Sequence, residues 1–527
     1  MESLSRLFLS AVLAAAAMAF AAGCDPGPSV HLKIRFAGDE RKSVFRNPGT
    51  PTTRGSDVDT LTLEAYNKDT GETQSVQKTN NFTVDDQIQA GGLQVKPGEG
   101  WRVLLTGTDR DGHLYGMGRT AKFTIPAKGD VDATLVFGIA DDFAATAKIT
   151  GGLGPFGSAS ALPDGSVLLV GPGGAFLHDP TTGNLCSDTC LTNRPPPRQL
   201  HVAVTLPGGK VFIAGGLSSS GTLLQDAYLF DAGSKSFSVV PSTGFPGRAG
   251  TAAAALKNGQ VLMAGGRGAQ PGDASKVLVV DPTTGSATPA PDLASPATLA
   301  TATLLDDGID GNGVDEGEVL VAGGLDPAGA PLSSAAVYSP DGSTATPAPP
   351  MLTARGAHSA TRLLDGYVLI YGGGGVSGSP ARFTAIAAPE AYVPAAKTFI
   401  RVSTTATLEP RAGHTGVLLD SKALLLIGGN PDAAGLPDPG RQVPAVRFTP
   451  EGEQGGSYTG TFDTTGQIVA RTGACAASLP DLSVVVAGGA WPALGADPLA
   501  PAAAGDWVEG VDLFVPCAVK DHLQCAL

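Results

Sequence analysis

Seven segments between residues 162 and 489 repeat one phrase: a Leu, a turn, four or five apolar residues, then Gly-Gly. The copies are LPDGSVLLVGPGG from Leu162, LPGGKVFIAGG from Leu206, LKNGQVLMAGG from Leu256, GEVLVAGG from Gly317, LLDGYVLIYGG from Leu363, LDSKALLLIGG from Leu419 and LPDLSVVVAGG from Leu479. An apolar run this short, without polar alternation, reads as a strand covered on both faces. A second strand follows each copy, as in AFLHDPTTG from Ala175, KVLVVDPTTG from Lys276 and EAYVPAAKTF from Glu390, and ends in a turn. Repetition of such a unit predicts a closed array of small sheets. Composition agrees: 72 Gly and 41 Pro among 527 residues suit many tight turns and disfavour helix interiors.

The final Gly of each pair falls at 216, 266, 324, 373, 429 and 489, with a degenerate first copy ending at Gly174. Units of about 50 residues are the length of kelch repeats. On these segments, residues ~143–516 resemble the kelch and galactose-oxidase central-domain family of β-propellers. The resemblance implies an all-β fold with a seven-bladed propeller over 142–516; six blades would require discarding the weak first copy. The last copy has a further strand at Glu509–Pro516 but no fourth strand before the chain ends, whereas DFAATAKITGG from Asp142 precedes the first copy. Insertion of that ribbon into the last sheet would close the ring and leave no long edge unpaired.

Residues 1–23 read as a signal peptide, with Arg6 before an apolar run that is too short to span a bilayer comfortably. Ala21-Ala22-Gly23 before Cys24 resembles a bacterial lipobox, although Ala21 stands where Leu is usual; lipidation is expected at Cys24, with cleavage as an ordinary signal peptide as the alternative. Residues 24–29 form a linker and 517–527 a C-terminal tail. Alternating runs at Val30–Phe36, Thr60–Ala65, Phe82–Val84, Trp101–Gly107, His113–Met117, Lys122–Ile125 and Ala133–Phe137 predict a small antiparallel sandwich of immunoglobulin-like architecture over 30–138. A net charge of −14 disfavours nucleic acid and anionic membrane surfaces as partners. In an oxidising compartment, Cys186 with Cys190 and Cys517 with Cys525 are placed for local disulfides, leaving Cys475 as a buried apolar residue.

Two groups could bind ligands. Arg198, Arg248, Arg355, Arg411 and Arg471 recur before the innermost strand of five units, with Pro296 in that region of the fourth, and His201, His358 and His414 follow three of them. Around a propeller mouth these arginines would grip a carboxylate, sulfate or phosphate; the competing reading is that each ties neighbouring blades together. The insertion DDGIDGNGVDEGE places Asp306, Asp310, Asn312, Asp315 and Glu316 among glycines, as calcium loops do, although the spacing departs from an EF-hand. A solvated acidic hairpin is the alternative.

No nucleophile elbow, phosphate loop or paired-histidine metal motif is present in the sequence. The expectation is therefore a non-catalytic, lipid-anchored binding protein of the bacterial envelope, at the outer membrane or cell surface with the inner membrane as alternative. Its partner would be a protein or an anionic glycan. An oxidase or sugar epimerase on the same scaffold is the enzymatic alternative.

Overall fold

Residues 9–11, 30–36, 58, 60–67, 69–79, 95–108, 114–129, 131–180, 182–241, 246–306, 316–379, 381–429, 442–490, 497–500 and 506–517 are described by the structure, a computed structural model. The chain is all-β. Among the described residues the one helical element is a 3₁₀ turn, Asp273–Ser275, and no helix is long and apolar enough to cross a membrane.

Each apolar run before Gly-Gly is the second strand of a four-stranded antiparallel set. Numbered by their first strands, unit 1 begins at Ser158–Ala161, unit 2 at Val202–Thr205, unit 3 at Ala252–Ala255 and unit 4 at Thr301–Asp306. Unit 5 begins at Ser359–Arg362, unit 6 at His414–Leu418 and unit 7 at Thr472–Ser478. Units 5 and 6 share one eight-stranded sheet because Val402 and Ser403 pair in parallel with Tyr458 and Thr459. Unit 7 takes its fourth strand from far away in sequence: Phe143–Lys148 pairs with Gly510–Phe514, as expected, and Phe143 stacks on Phe514 with ring centroids 4.8 Å apart. The arrangement is compatible with a β-propeller.

The absence of alternation in the second strands now has its cause. Leu168 and Val170 of unit 1 pack against Val211 and Ile213 of unit 2, while Phe212 and Ala214, on the opposite face of that strand, pack against Val261 and Met263 of unit 3. The pattern continues through Leu262 against Val319, Leu320 against Val368, Leu369 against Leu424 and Leu425 against Val484, and returns with Val485 against Val167. Each strand is thus buried between two neighbours, and burial of a Val or Leu side chain contributes about 1.5–3 kcal/mol.

At the centre lies a feature of the backbone alone. Leu200 N–H donates to Phe156 O, Gly250 to Leu200, Leu299 to Gly250, Ala357 to Leu299, Gly413 to Ala357, Gly473 to Gly413, and Phe156 to Gly473, with distances of 2.7–3.0 Å. These seven bonds form a circle with one residue from each unit. Every member has a left-handed backbone, φ from 51° at Phe156 to 72° at Gly473.

The N-terminal residues depart from the expected pair of antiparallel sheets. Their strands form one eight-stranded sheet in which Val30–Phe36 runs parallel to Val131–Ile139, and Leu9–Ala11 pairs along its edge. One apolar cluster, including Leu32, Leu63, Trp101, Val103 and Phe137, fills it, so the strands enclose a single core. Glu72–Thr79 is a strand that the sequence pattern did not mark, whereas Phe82–Val84 lies outside the described residues. This sheet docks on unit 7: Arg102 donates to Pro480 O at 2.8 Å and Arg119 to Pro516 O at 2.9 Å, while Leu104, Leu114 and Met117 join the apolar layer between units 7 and 1.

Candidate functional site

The five repeat arginines do not line an open mouth. Their side chains are buried and most of their donors are used within the fold, although Arg248 Nε and Arg411 Nε are buried without a hydrogen-bond partner. Each sends Nη1 to the carbonyl 17 residues ahead, the first Gly of its own Gly-Gly pair: Arg198 to Gly215, Arg248 to Gly265, Arg355 to Gly372, Arg411 to Gly428 and Arg471 to Gly488. Each arginine also reaches the start of the third strand. Arg198 Nη2 meets Asp226 at 3.1 Å, Arg355 Nη2 meets Glu390 at 2.7 Å and Arg471 Nη2 meets Asp512 at 2.6 Å, whereas Arg248 and Arg411 bond Lys276 O and Pro444 O. Burial lowers the pKa of Arg248, Arg355, Arg411 and Arg471, and raises that of Glu390.

The arginine backbones tie adjacent units as well. Gly216, Gly324, Gly373 and Gly429 donate to the carbonyls of Arg248, Arg355, Arg411 and Arg471 in the next unit. This explains the Gly pair: Gly372 has φ 65°, and a Cβ there would sit 2.3 Å from Arg411 O. The equivalent position in unit 4 is Ala297, whose carbonyl accepts from Gly266; Pro296 is its neighbour. Ring tying, the competing reading of these arginines, accounts for their recurrence. The fixed 17-residue spacing, kept while unit lengths vary, was the sequence signal for this role.

The histidines also serve the ring. His201 Nε2 pairs with Ser158 Oγ at 2.9 Å, His358 with Thr301 Oγ1 at 2.9 Å and His414 with Ser359 Oγ at 2.8 Å, each partner belonging to the preceding unit. Burial, followed by the nearby guanidinium, pushes all three down to about 3 from the usual 6.5, so they are neutral at physiological pH. Cys475 is buried with its Sγ on Ala487 O, and burial pushes its thiol up to about 12. A copper-radical site of the galactose-oxidase kind needs two His, a Tyr and a Cys-linked Tyr. This arrangement of His and Cys does not fit that donor set, and among the described residues no group of three or more His, Cys, Asp or Glu comes together to hold a metal.

Of the acidic insertion, Asp310, Asn312 and Asp315 lie outside the described residues. Asp306 is salt-bridged to Lys257 at 2.9 Å and sits across from Glu316 in the hairpin. Cys186 and Cys190 form a disulfide with Cα atoms 6.0 Å apart; Cys517 is also disulfide-bonded, whereas Cys24 and Cys525 lie outside the described residues.

What the fold does build is a cavity of about 350 Å³ on the face where the Gly-Gly turns end. Its walls are the loops that follow the Gly pairs of units 3 and 4, starting at Arg267 and Leu325, with Thr298 between them and Asp497–Leu499 of unit 7 across the opening. Beside it, Phe156, Leu200 and Leu299 of the backbone circle gather with Leu217, Ala249 and Leu499 into an apolar plug. Three of these adopt left-handed φ although none is Gly, at a cost of about 1–3 kcal/mol each. Sequence reasoning missed this site because Asp497 comes from 230 residues beyond Arg267; position directly after a Gly pair was the one available signal. No protein-family model matches the chain, and none of the curated proteins matches it.

Proposed function

We propose that this chain is a binding protein built on a seven-bladed, kelch-type β-propeller, which presents the loops around the 350 Å³ cavity to its partner. The circle of seven backbone hydrogen bonds supports the blade count, one link per unit with none left over. The single observation that carries the binding reading is the cavity itself. It lies at the mouth of a ring whose buried side chains are committed to holding that ring, and its size falls within the range of ligand sites.

In this reading residues 1–23 are removed together with the Leu9–Ala11 edge strand, which leaves Val30–Phe36 as the edge of the sheet; Cys24 carries the lipid, and the partner is a protein or an anionic glycan at the cell envelope. The small domain, expected as an immunoglobulin-like sandwich, acts as a curled spacer docked on the last blade. With the five arginines committed internally, recognition falls to the loop residues, and chemistry is not assigned to the ring.

The test fills the cavity. Ala328 lines it and is exposed, so Ala328→Trp should place an indole in the space without disturbing a buried layer. Partner capture from envelope extracts should be lost with the melting temperature unchanged. Undiminished capture would refute the assignment of the face, and stoichiometric copper with peroxide production from sugar alcohols would refute the non-catalytic reading.

A further inference from the structure

We infer that the cavity beside Arg267 binds the carboxylate of a small aliphatic acid, either a free acid or the carboxyl terminus of a peptide; this rests on the binding reading above and names the ligand. Arg267 differs from the five repeat arginines in both exposure and partners. Its side chain is 42% exposed and its Nη1 meets Asp497 Oδ2 at 3.1 Å and Oδ1 at 3.4 Å. Among the described residues Nη2 and Nε have no partner, so part of a fork that matches a carboxylate is unused. Asp497 is 55% exposed, and an exposed pair of this kind holds weakly. A ligand carboxylate can therefore take its place on Arg267.

The remaining lining selects the rest of the ligand. Pro271, Ala274, Leu325, Pro327 and Leu499 give an apolar floor, with Ala274, Leu325 and Leu499 themselves buried. No aromatic ring belongs to the described lining, so the flat stacking surface that a sugar would use is missing there. The second carboxylate at the site, Asp326, is held in its own turn, where Oδ1 accepts the Ala328 and Ala330 N–H groups at 2.8 Å. The molecule also carries a template of the ligand: in Asp497-Pro498-Leu499 a carboxylate rests on Arg267 while the aliphatic side chain two residues on is buried. The native Asp497 is thus an internal competitor for the guanidinium.

Calorimetric titration of the full protein with four probes tests this: N-acetyl-leucine, N-acetyl-leucinamide, a hexapeptide ending in a leucine carboxylate, and glucuronate. Both leucine acids should bind and the amide should not. A peptide at least about tenfold tighter than N-acetyl-leucine identifies a chain terminus as the natural source, and equal affinities identify a free acid. Arg267→Gln should weaken binding by about tenfold or more, as loss of a charged hydrogen-bond pair does. Asp497→Asn should strengthen it by about two- to fivefold, since the competitor is removed.

Opposite signs from the two halves of one ion pair are the outcome that a purely structural salt bridge cannot give. Equal binding of acid and amide, binding by glucuronate alone, indifference to Arg267→Gln, or weakening by both variants would overturn the inference. Both residues are exposed, and unchanged melting temperatures confirm folding of the variants. If N-acetyl-leucine fails while Ala328→Trp still abolishes partner capture, only the ligand class falls and the binding face stands.

Discussion

Lowering the pH from 7.5 to 5 is expected to remove about 4 kcal/mol of folding free energy through His358 and His414 alone. Both rings are buried, both pair through Nε2 with a hydroxyl of the preceding unit, and burial reinforced by Arg355 and Arg411 pushes each down to about 3. At pH 5 the folded protein therefore keeps them neutral, whereas the unfolded chain, with an ordinary histidine pKa of about 6.5, protonates them. The unfolded state binds the extra protons, so stability is complete above about pH 6.5 and declines as the pH falls towards 3. The proton-binding advantage of the unfolded chain at pH 5, RT ln(1 + 10^1.5), is about 2 kcal/mol for each residue. His201 adds to the loss in the same direction.

The assay is urea unfolding of the wild type and of His358→Gln/His414→Gln at both pH values. Gln can still bond the Thr301 and Ser359 hydroxyls but does not titrate. The double variant should start less stable at pH 7.5, because two well-packed rings are lost, yet fall by about 4 kcal/mol less on acidification. Carboxylates titrating in the same range are common to both proteins and cancel in the difference. Equal acid sensitivity in the two proteins, or Cε1–H resonances of these histidines that titrate near pH 6.5, would refute the claim that the ring holds them neutral.

Two further outcomes follow from the same geometry. Arg355→Ala leaves the Glu390 carboxylate buried without its counter-ion and should cost about 3–5 kcal/mol in chemical denaturation, against about 1–3 kcal/mol for Arg248→Ala, whose Nη1 bonds go to the carbonyls of Gly265 and Lys276. Gly473→Ala should cost more than Gly250→Ala, by roughly 1–2 kcal/mol, because a Cβ at Gly473 would lie 2.7 Å from the Phe156 backbone nitrogen whereas at Gly250 its nearest neighbour would be the movable tip of Leu499 at 3.1 Å, with Leu299 at ordinary contact distance; thermal melts of the two variants decide it.

Much of the all-β frame was legible because its cause is local. An unalternating apolar run is what a strand covered on both faces must be, and a Gly pair is what the chain needs where the next unit's Arg411 carbonyl passes 2.3 Å from the would-be Cβ of Gly372. The fourth strand of unit 7 was legible by subtraction, as a ribbon before the first copy and a gap after the last. The N-terminal sheet was not, since alternation in Val30–Phe36 and Val131–Ile139 says which residues face a core but not that the two strands run parallel in one sheet. The arginines were visible, but their charge allowed both a ligand clamp and a tie between neighbouring units. An exposed and a buried guanidinium look alike in sequence, and only the distance to the Gly carbonyl separated a tie from a ligand clamp. The cavity was invisible, because it is made by the coincidence of two loops with a segment from another unit.

Length variation separates what closure of the ring fixes from what it leaves free. From the circle residue to the first Gly of the pair is 15 residues in five units: Leu200 to Gly215, Gly250 to Gly265, Ala357 to Gly372, Gly413 to Gly428 and Gly473 to Gly488. Unit 4 spends 24 residues between Leu299 and Gly323, and the excess is the acidic insertion at the far end of its hairpin. The fixed interval spans the first hairpin of each unit and the tie that closes it; altering it by one residue would reverse which face of the second strand meets which neighbour. Beyond the Gly pair the length is kept less strictly. In units 2 to 6 the interval from there to the next circle residue runs from 33 residues after Gly266 and Gly324 to 44 after Gly429; the two stretches at the cavity wall, beginning at Arg267 and Leu325, are equal in length and differ in sequence. A ring held by backbone and buried arginine leaves these loops free to change without loss of closure, so a ligand preference can arise there while the interval of 15 persists.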